Sequence, residues 1–312
     1  MIDPAIAMLA PRIAAGLPAG VIVEAVDDFS IEELRLRATN ATVLVNARRP
    51  IDATTLAAAP SARFIQLIGA GYDTIDRAAV AEAGVNVAYN PGVNRTGAAE
   101  HTVMLILALL KRLPRTEAMT RDGRFAPGEI IAAGIDDLAD ATIGLIGMGH
   151  IGQAVVERVA PFGPSIVYHT RRPVTEIDHR FGARHVALTE LLAGSNIVSL
   201  HLPLSADTYH LIGAAQLARM PTGSYLINTG RGGLVDEGAL REAILSGHLA
   251  GAGIDVLEQE TDGRNPFADL PQVIVTPHLG GGSRNSMANT VERCTANIRR
   301  FLAGEPIHDA IA

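Results

Sequence analysis

Thr142-Ile143-Gly144-Leu145-Ile146-Gly147-Met148-Gly149-His150-Ile151-Gly152 decides the fold of this chain. A short, mostly apolar strand runs into G-x-G-x-x-G, and a helical run from Gln153 to Val159 follows. In that order the first glycine permits a tight turn. The second lets a pyrophosphate approach the backbone, and the third lets helix and strand pack closely. The helix N-terminus adds free N–H groups and a partial positive charge. The stretch therefore predicts a dinucleotide-binding βαβ unit, with Gly147, Gly149, His150, Ile151 and Gly152 as its phosphate loop.

The same alternation extends in both directions. Residues 165–168, 197–200, 224–227, 251–256 and 273–276 read as strands with helical segments between them, which predicts a parallel sheet wound on both faces. Upstream, residues 21–23, 42–45 and 64–68 read as buried strands, and 31–37 and 78–83 as helices. Residues 97–112 are apolar at nearly every position, as in a helix buried on most sides. The Pro91-Gly92 loop and Gly280-Gly281-Gly282 are the candidate crossings between domains. The expected class is α/β, with a doubly wound parallel sheet.

The end of the second strand bears on the cofactor. An NAD site usually carries an acid about 20 residues beyond the glycines, on the ribose hydroxyls. Here the chain reads His169-Thr170-Arg171-Arg172-Pro173, with no acid and two guanidinium groups. Guanidinium pairs with a 2′-phosphate through parallel hydrogen bonds. Thr170, Arg171 and Arg172 are thus expected to favour NADP, with NAD the alternative.

Three further segments each follow a predicted strand: Asn228-Thr229-Gly230-Arg231-Gly232, Asp255 through Glu260, and Thr276-Pro277-His278. Arg231, Glu260 and His278 therefore fall beyond carboxyl ends of strands, where open α/β sheets bind ligands. Reduction of a 2-oxo acid needs a proton donor at the carbonyl oxygen, and imidazole titrates in the right range. A carboxylate bonded to an imidazole orients the ring and favours its charged form. A guanidinium matches the substrate carboxylate and can polarise the adjacent carbonyl.

These motifs, with Gly69-Ala70-Gly71-Tyr72-Asp73 and Ala99-Glu100-His101-Thr102 upstream, resemble those of the D-isomer-specific 2-hydroxyacid dehydrogenases over most of the chain. The resemblance implies two Rossmann-like, doubly wound parallel domains with the substrate in the cleft between them: a dinucleotide domain of residues 98–282, inserted into a catalytic domain made of 1–97 and 283–312. It implies Arg231 on the substrate carboxylate, His278 as acid/base and Glu260 as its partner. Ala70 and Gly71 would hold the carboxylate through backbone N–H groups, and Asp255 would meet the nicotinamide amide. Thr102, Pro203, Asn228 and Thr229 would line the cofactor path. It also implies a homodimer and a small 2-oxo or 2-hydroxy acid substrate, as in glyoxylate/hydroxypyruvate reductases. Two other readings keep the fold: a formate or phosphite dehydrogenase, and a dinucleotide-sensing interaction protein of the co-repressor type. The chain departs from the family in lacking any Trp, with Phe125 after Arg121-Asp122-Gly123-Arg124.

Composition narrows the field. The 312 residues are 48% hydrophobic and 19% charged, enough to build a core. With 26 basic against 33 acidic residues the net charge is −7, which speaks against a nucleic-acid partner held by bulk charge. Neither a signal peptide nor a membrane span is expected, and the single Cys294 fits a reducing, cytoplasmic compartment. Cys294 itself reads as a buried apolar residue. Glu258 reads as a loop carboxylate, His201 and His210 as structural residues, and Arg48-Arg49 as a solvated loop pair.

Overall fold

The computed structural model describes residues 1–311 apart from Phe29, Arg48, Thr261 and Asp262. The chain divides into two compact units, Met1–Asn94 with Ser283–Ala312, and Arg95–Gly282. Helix Arg95–Leu110 therefore lies wholly in the second unit, whose first residue precedes the expected domain start at 98.

The first unit is built on a three-stranded parallel sheet, β1 (Val43–Asn46), β2 (Phe64–Leu67) and β3 (Asn86–Ala88), in the order β1-β2-β3. All four residues of β2 are buried, as a central strand of a covered parallel sheet requires. Parallel pairing needs crossovers, and each is started by an aspartate cap. Asp52 accepts from Thr55 N at 2.8 Å, and Asp76 from Ala78 N and Ala79 N at 3.0 Å. The long helix Arg284–Leu302 returns to this unit, capped by Ser283. Its buried Asn297 donates to Gln66 Oε1 at 2.9 Å, so the polar side chain in the middle of β2 is satisfied within the core. Cys294 is fully buried beside it, and burial raises its thiol to about 11. Residues 21–23, expected as a buried strand, form none. The segment is irregular and Ile22 is 80% exposed, while Ile2 bridges Ala25 and Val45 in its place.

The second unit carries a seven-stranded parallel sheet. Its strands are β4 (Thr142–Ile146), β5 (Ser165–His169), β6 (Arg184–His185), β7 (Ile197–Leu200), β8 (Ser224–Asn228), β9 (Leu249–Ile254) and β10 (Val273–Val275). The order is β10-β9-β8-β7-β4-β5-β6, so the winding reverses between β4 and β7. That reversal opens a crevice beyond the carboxyl ends of those two strands, where such sheets bind ligands. Two apolar clusters cover the faces, one around Leu105, Val155 and Tyr168, the other around Leu191, Leu226 and Leu240. Among the described residues, no helix is long and apolar enough to cross a membrane.

Candidate active site

The glycine loop sits at the reversal point, and its three glycines differ physically. Gly147 has φ +99°, and a Cβ there would lie 2.4 Å from the His201 carbonyl oxygen beyond β7. At Gly152 a Cβ would lie 2.3 Å from the Gly147 carbonyl oxygen. Gly149, the N-cap of helix His150–Val159, faces open space instead. The first and third glycines are thus needed for packing, and the second leaves room for a ligand at a helix N-terminus. His150 is exposed and Ile151 half-buried along that edge. This arrangement fits a dinucleotide pyrophosphate.

Beyond β5, Thr170 to Val174 form a braced loop. His185 Nε2 donates to Thr170 O at 2.8 Å, and Val174 N to the buried Tyr168 hydroxyl at 2.8 Å. Arg171 and Arg172 project from it, both exposed and, among the described residues, without a hydrogen-bonded or ion-paired partner.

The loop after β8 is held by Asn228, which is 1% exposed. Its Nδ2 donates to Arg231 O at 2.9 Å and its Oδ1 accepts from Gly230 N at 3.1 Å. Arg231 is half-buried and also donates to Gly230 O at 2.8 Å. Gly232 presses on the peptide joining Leu257 and Glu258, where a Cβ would lie 2.0 Å from the Leu257 carbonyl carbon. The loop of Arg231 and the loop of Glu260 are therefore fixed against each other.

His278 Nδ1 lies 2.9 Å from both Glu260 oxygens. Nδ1 must then carry the hydrogen given to the carboxylate. That fixes the tautomer of the neutral ring and leaves Nε2 for a proton in transit. The His278 backbone is left-handed, with φ +55°.

Asp255 is 2% exposed and saturated with donors. Oδ1 accepts from the Thr276 hydroxyl at 2.5 Å and Leu279 N at 2.8 Å, and Oδ2 from Gly280 N at 2.8 Å. Burial pushes its carboxyl upward, but hydrogen bonds from His101, Thr276, Gly280 and Leu279 outweigh burial and hold it below its usual range. The sequence-based reading had no role for His101 or Thr276. The only signal was their place in the quoted motifs.

Of the remaining candidates, Thr102 is fully buried and its hydroxyl meets that of Thr229 at 2.9 Å. Pro203 is exposed after β7. Glu258, expected as a plain loop carboxylate, accepts from the Tyr209 hydroxyl at 2.6 Å and lies 3.3 Å from His210 Nε2. In the first unit, the Ala70 and Gly71 N–H groups have no partner among the described residues. Arg49 is buried rather than solvated and donates to Asp28 O at 3.2 Å, while Arg48 lies outside the described residues. No cluster of three His, Cys, Asp or Glu that could hold a metal exists among the described residues.

Known proteins match this chain over most of its length. Residues 103–280 match the family described as D-isomer specific 2-hydroxyacid dehydrogenase, NAD binding domain. The D-3-phosphoglycerate dehydrogenase of Mycobacterium tuberculosis is 34% identical over 304 residues, 97% of this chain. The present chain spans only 57% of the length of that relative. The glyoxylate reductase of Korarchaeum cryptofilum is 36% identical over 259 residues, 82% of this chain and 78% of the relative. The D-lactate dehydrogenase of Aquifex aeolicus, solved with NAD and lactic acid, superposes with a TM-score of 0.87 at 27% identity. That match covers 97% of this chain and 95% of the other. A seven-stranded sheet with its glycine loop at the reversal, a family match over residues 103–280 and 36% identity to a relative across 82% of this chain place the chain in the D-isomer specific 2-hydroxyacid dehydrogenase family.

Proposed function

We propose that this chain interconverts a small 2-oxo acid and its 2-hydroxy acid at the expense of a nicotinamide dinucleotide, with NADPH preferred and glyoxylate or hydroxypyruvate as substrate. The observation that carries the reading is the double contact of His278 Nδ1 with Glu260, which holds an imidazole with its other nitrogen available. When bound, the reduced cofactor supplies hydride to the carbonyl carbon. His278 gives the carbonyl oxygen a proton from Nε2 in reduction and takes it back in oxidation. Arg231 binds the substrate carboxylate and polarises the neighbouring carbonyl. Ala70 and Gly71, in the first unit, carry backbone N–H groups without a partner among the described residues. Asn228, Thr229, Thr102, Pro203 and Asp255 would border the nicotinamide half of the cofactor, and the glycine loop its pyrophosphate.

The preference for NADPH rests on Arg171 and Arg172, two exposed guanidinium groups on a braced loop that lacks a carboxylate. Losing a charge-assisted contact costs about 1.5–3 kcal/mol, roughly 10–150-fold in affinity. The test is kcat/KM over glyoxylate, hydroxypyruvate, pyruvate and phenylpyruvate with each cofactor. Replacing both arginines by alanine should weaken NADPH by that factor and leave NADH nearly unchanged. His278→Ala should lower kcat by roughly 10²–10⁴-fold while NADPH still binds. Inactivity on every 2-oxo acid would overturn the proposal, and equal loss of both cofactors would overturn the NADPH assignment.

A further inference from the structure

Two consecutive side chains of helix Arg95–Leu110 grip two different loops of the second unit. Thr102 meets Thr229 in the loop that leads to Arg231, and His101 reaches the turn that carries His278. His101 Nε2 lies 2.8 Å from Thr276 Oγ1 and 3.2 Å from Asp255 Oδ1. The Thr276 hydroxyl gives its own hydrogen to Asp255. Its oxygen is therefore the acceptor toward His101, and His101 Nε2 must carry a hydrogen.

From there the chain of contacts runs into the turn. The Asp255 carboxylate accepts from Leu279 N and Gly280 N, and the Asp255 carbonyl accepts from His278 N at 2.8 Å. Three successive amides are thus tied to one residue. The turn is also seated directly on the helix: a Cβ at Gly280 would lie 3.0 Å from Asp255 Oδ2 and 3.6 Å from Ala98 Cα. Such anchoring is what a non-glycine residue at φ +55° needs, because that conformation is costly when the surroundings do not hold it.

We propose that His101 is a positioning residue: through Thr276 and Asp255 it holds the turn that presents His278. The inference rests on His278 being the proton donor proposed above. Losing the His101 donor leaves a buried carboxylate short of one partner, and the amides that share it loosen. His278 then drifts from its working position, which lowers turnover more than it weakens substrate binding.

Amide hydrogen exchange on the full chain, without substrate, reads the tether directly. In His101→Leu and Thr276→Val, the Leu279 and Gly280 amides should exchange roughly tenfold faster, with β8 unchanged. His101→Gln, which can present an Nε2 donor, should stay near the unmodified protein. In steady-state reduction the first two variants should lose roughly tenfold in kcat with KM little altered, and His101→Gln should recover most of it. Unchanged exchange in the two disruptive variants would overturn the proposal. So would faster exchange with unchanged kcat, or a His101→Gln variant as slow as His101→Leu. Should His101→Leu fail to fold, Thr276→Val decides by the same readings. A parent protein that reduces no 2-oxo acid would defeat the proposed function, while exchange would still decide the tether.

Discussion

His201 stands where β7 ends, next to the glycine loop, with Nε2 2.9 Å from Ser199 Oγ. Its Nδ1 is buried and has no partner among the described residues. Burial lowers its pKa to about 4. The folded state therefore binds the ring proton less readily than the unfolded chain, where histidine titrates near 6.5. The stabilisation from keeping this ring neutral is complete above that value and is lost as pH falls from 6.5 toward 4. The shift corresponds to about 3 kcal/mol. Urea unfolding at pH 7 and 4.5 should show most of this loss, and His201→Asn should flatten that part of the profile. Parallel profiles for the two proteins would refute it. The sequence-based reading gives His201 a structural role. Its backbone carbonyl abuts Gly147, a contact that strand pairing creates and no spacing announces. Arg231, Glu260 and His278 were legible because each follows a strand end. His101 was not, because its partners lie more than 150 residues away in sequence.

At the scale of elements, the glycine loop separates packing from binding. Gly152→Ala drives a Cβ against the Gly147 carbonyl and should destabilise the fold by about 1–3 kcal/mol. Gly149→Ala meets nothing within 4 Å, so its thermal midpoint should stay near that of the parent while dinucleotide affinity falls at least tenfold. Calorimetry and cofactor titration of both variants check the pair, and equal destabilisation would refute the distinction. Strands β4 and β7 lay at their expected bounds because each is a run of buried residues closed by a turn signal. Strands β3 and β6, of three and two residues, were too short to show a period. Residues 21–23 have the composition of a strand, but Ile2 takes the bridge to Val45 instead. Tertiary pairing overrode local preference there.

For the whole molecule, the second unit exposes Met104, Leu113, Phe125 and Ile131, with Phe125 87% accessible. Apolar side chains gathered along one stretch mark association surfaces. The expected homodimer should sediment at about twice 32.7 kDa, and Phe125→Ser combined with Ile131→Ser should return it to the single-chain mass. A parent protein that sediments as one chain at micromolar concentration would refute that. The division of the first unit into residues 1–94 and 283–312 has a consequence for biosynthesis. A ribosome adds roughly 5–20 residues per second. Once β2 is made, its buried Gln66 must wait for the intervening unit to be translated before Asn297 exists to pair with it. At that pace the wait lasts roughly 10–50 seconds. During it, the second unit can complete its sheet while the first sheet, its three strands already made, lacks helix Arg284–Leu302 and is exposed to chaperones and proteases. Helix Arg284–Leu302, once made, is the one that ends this vulnerability.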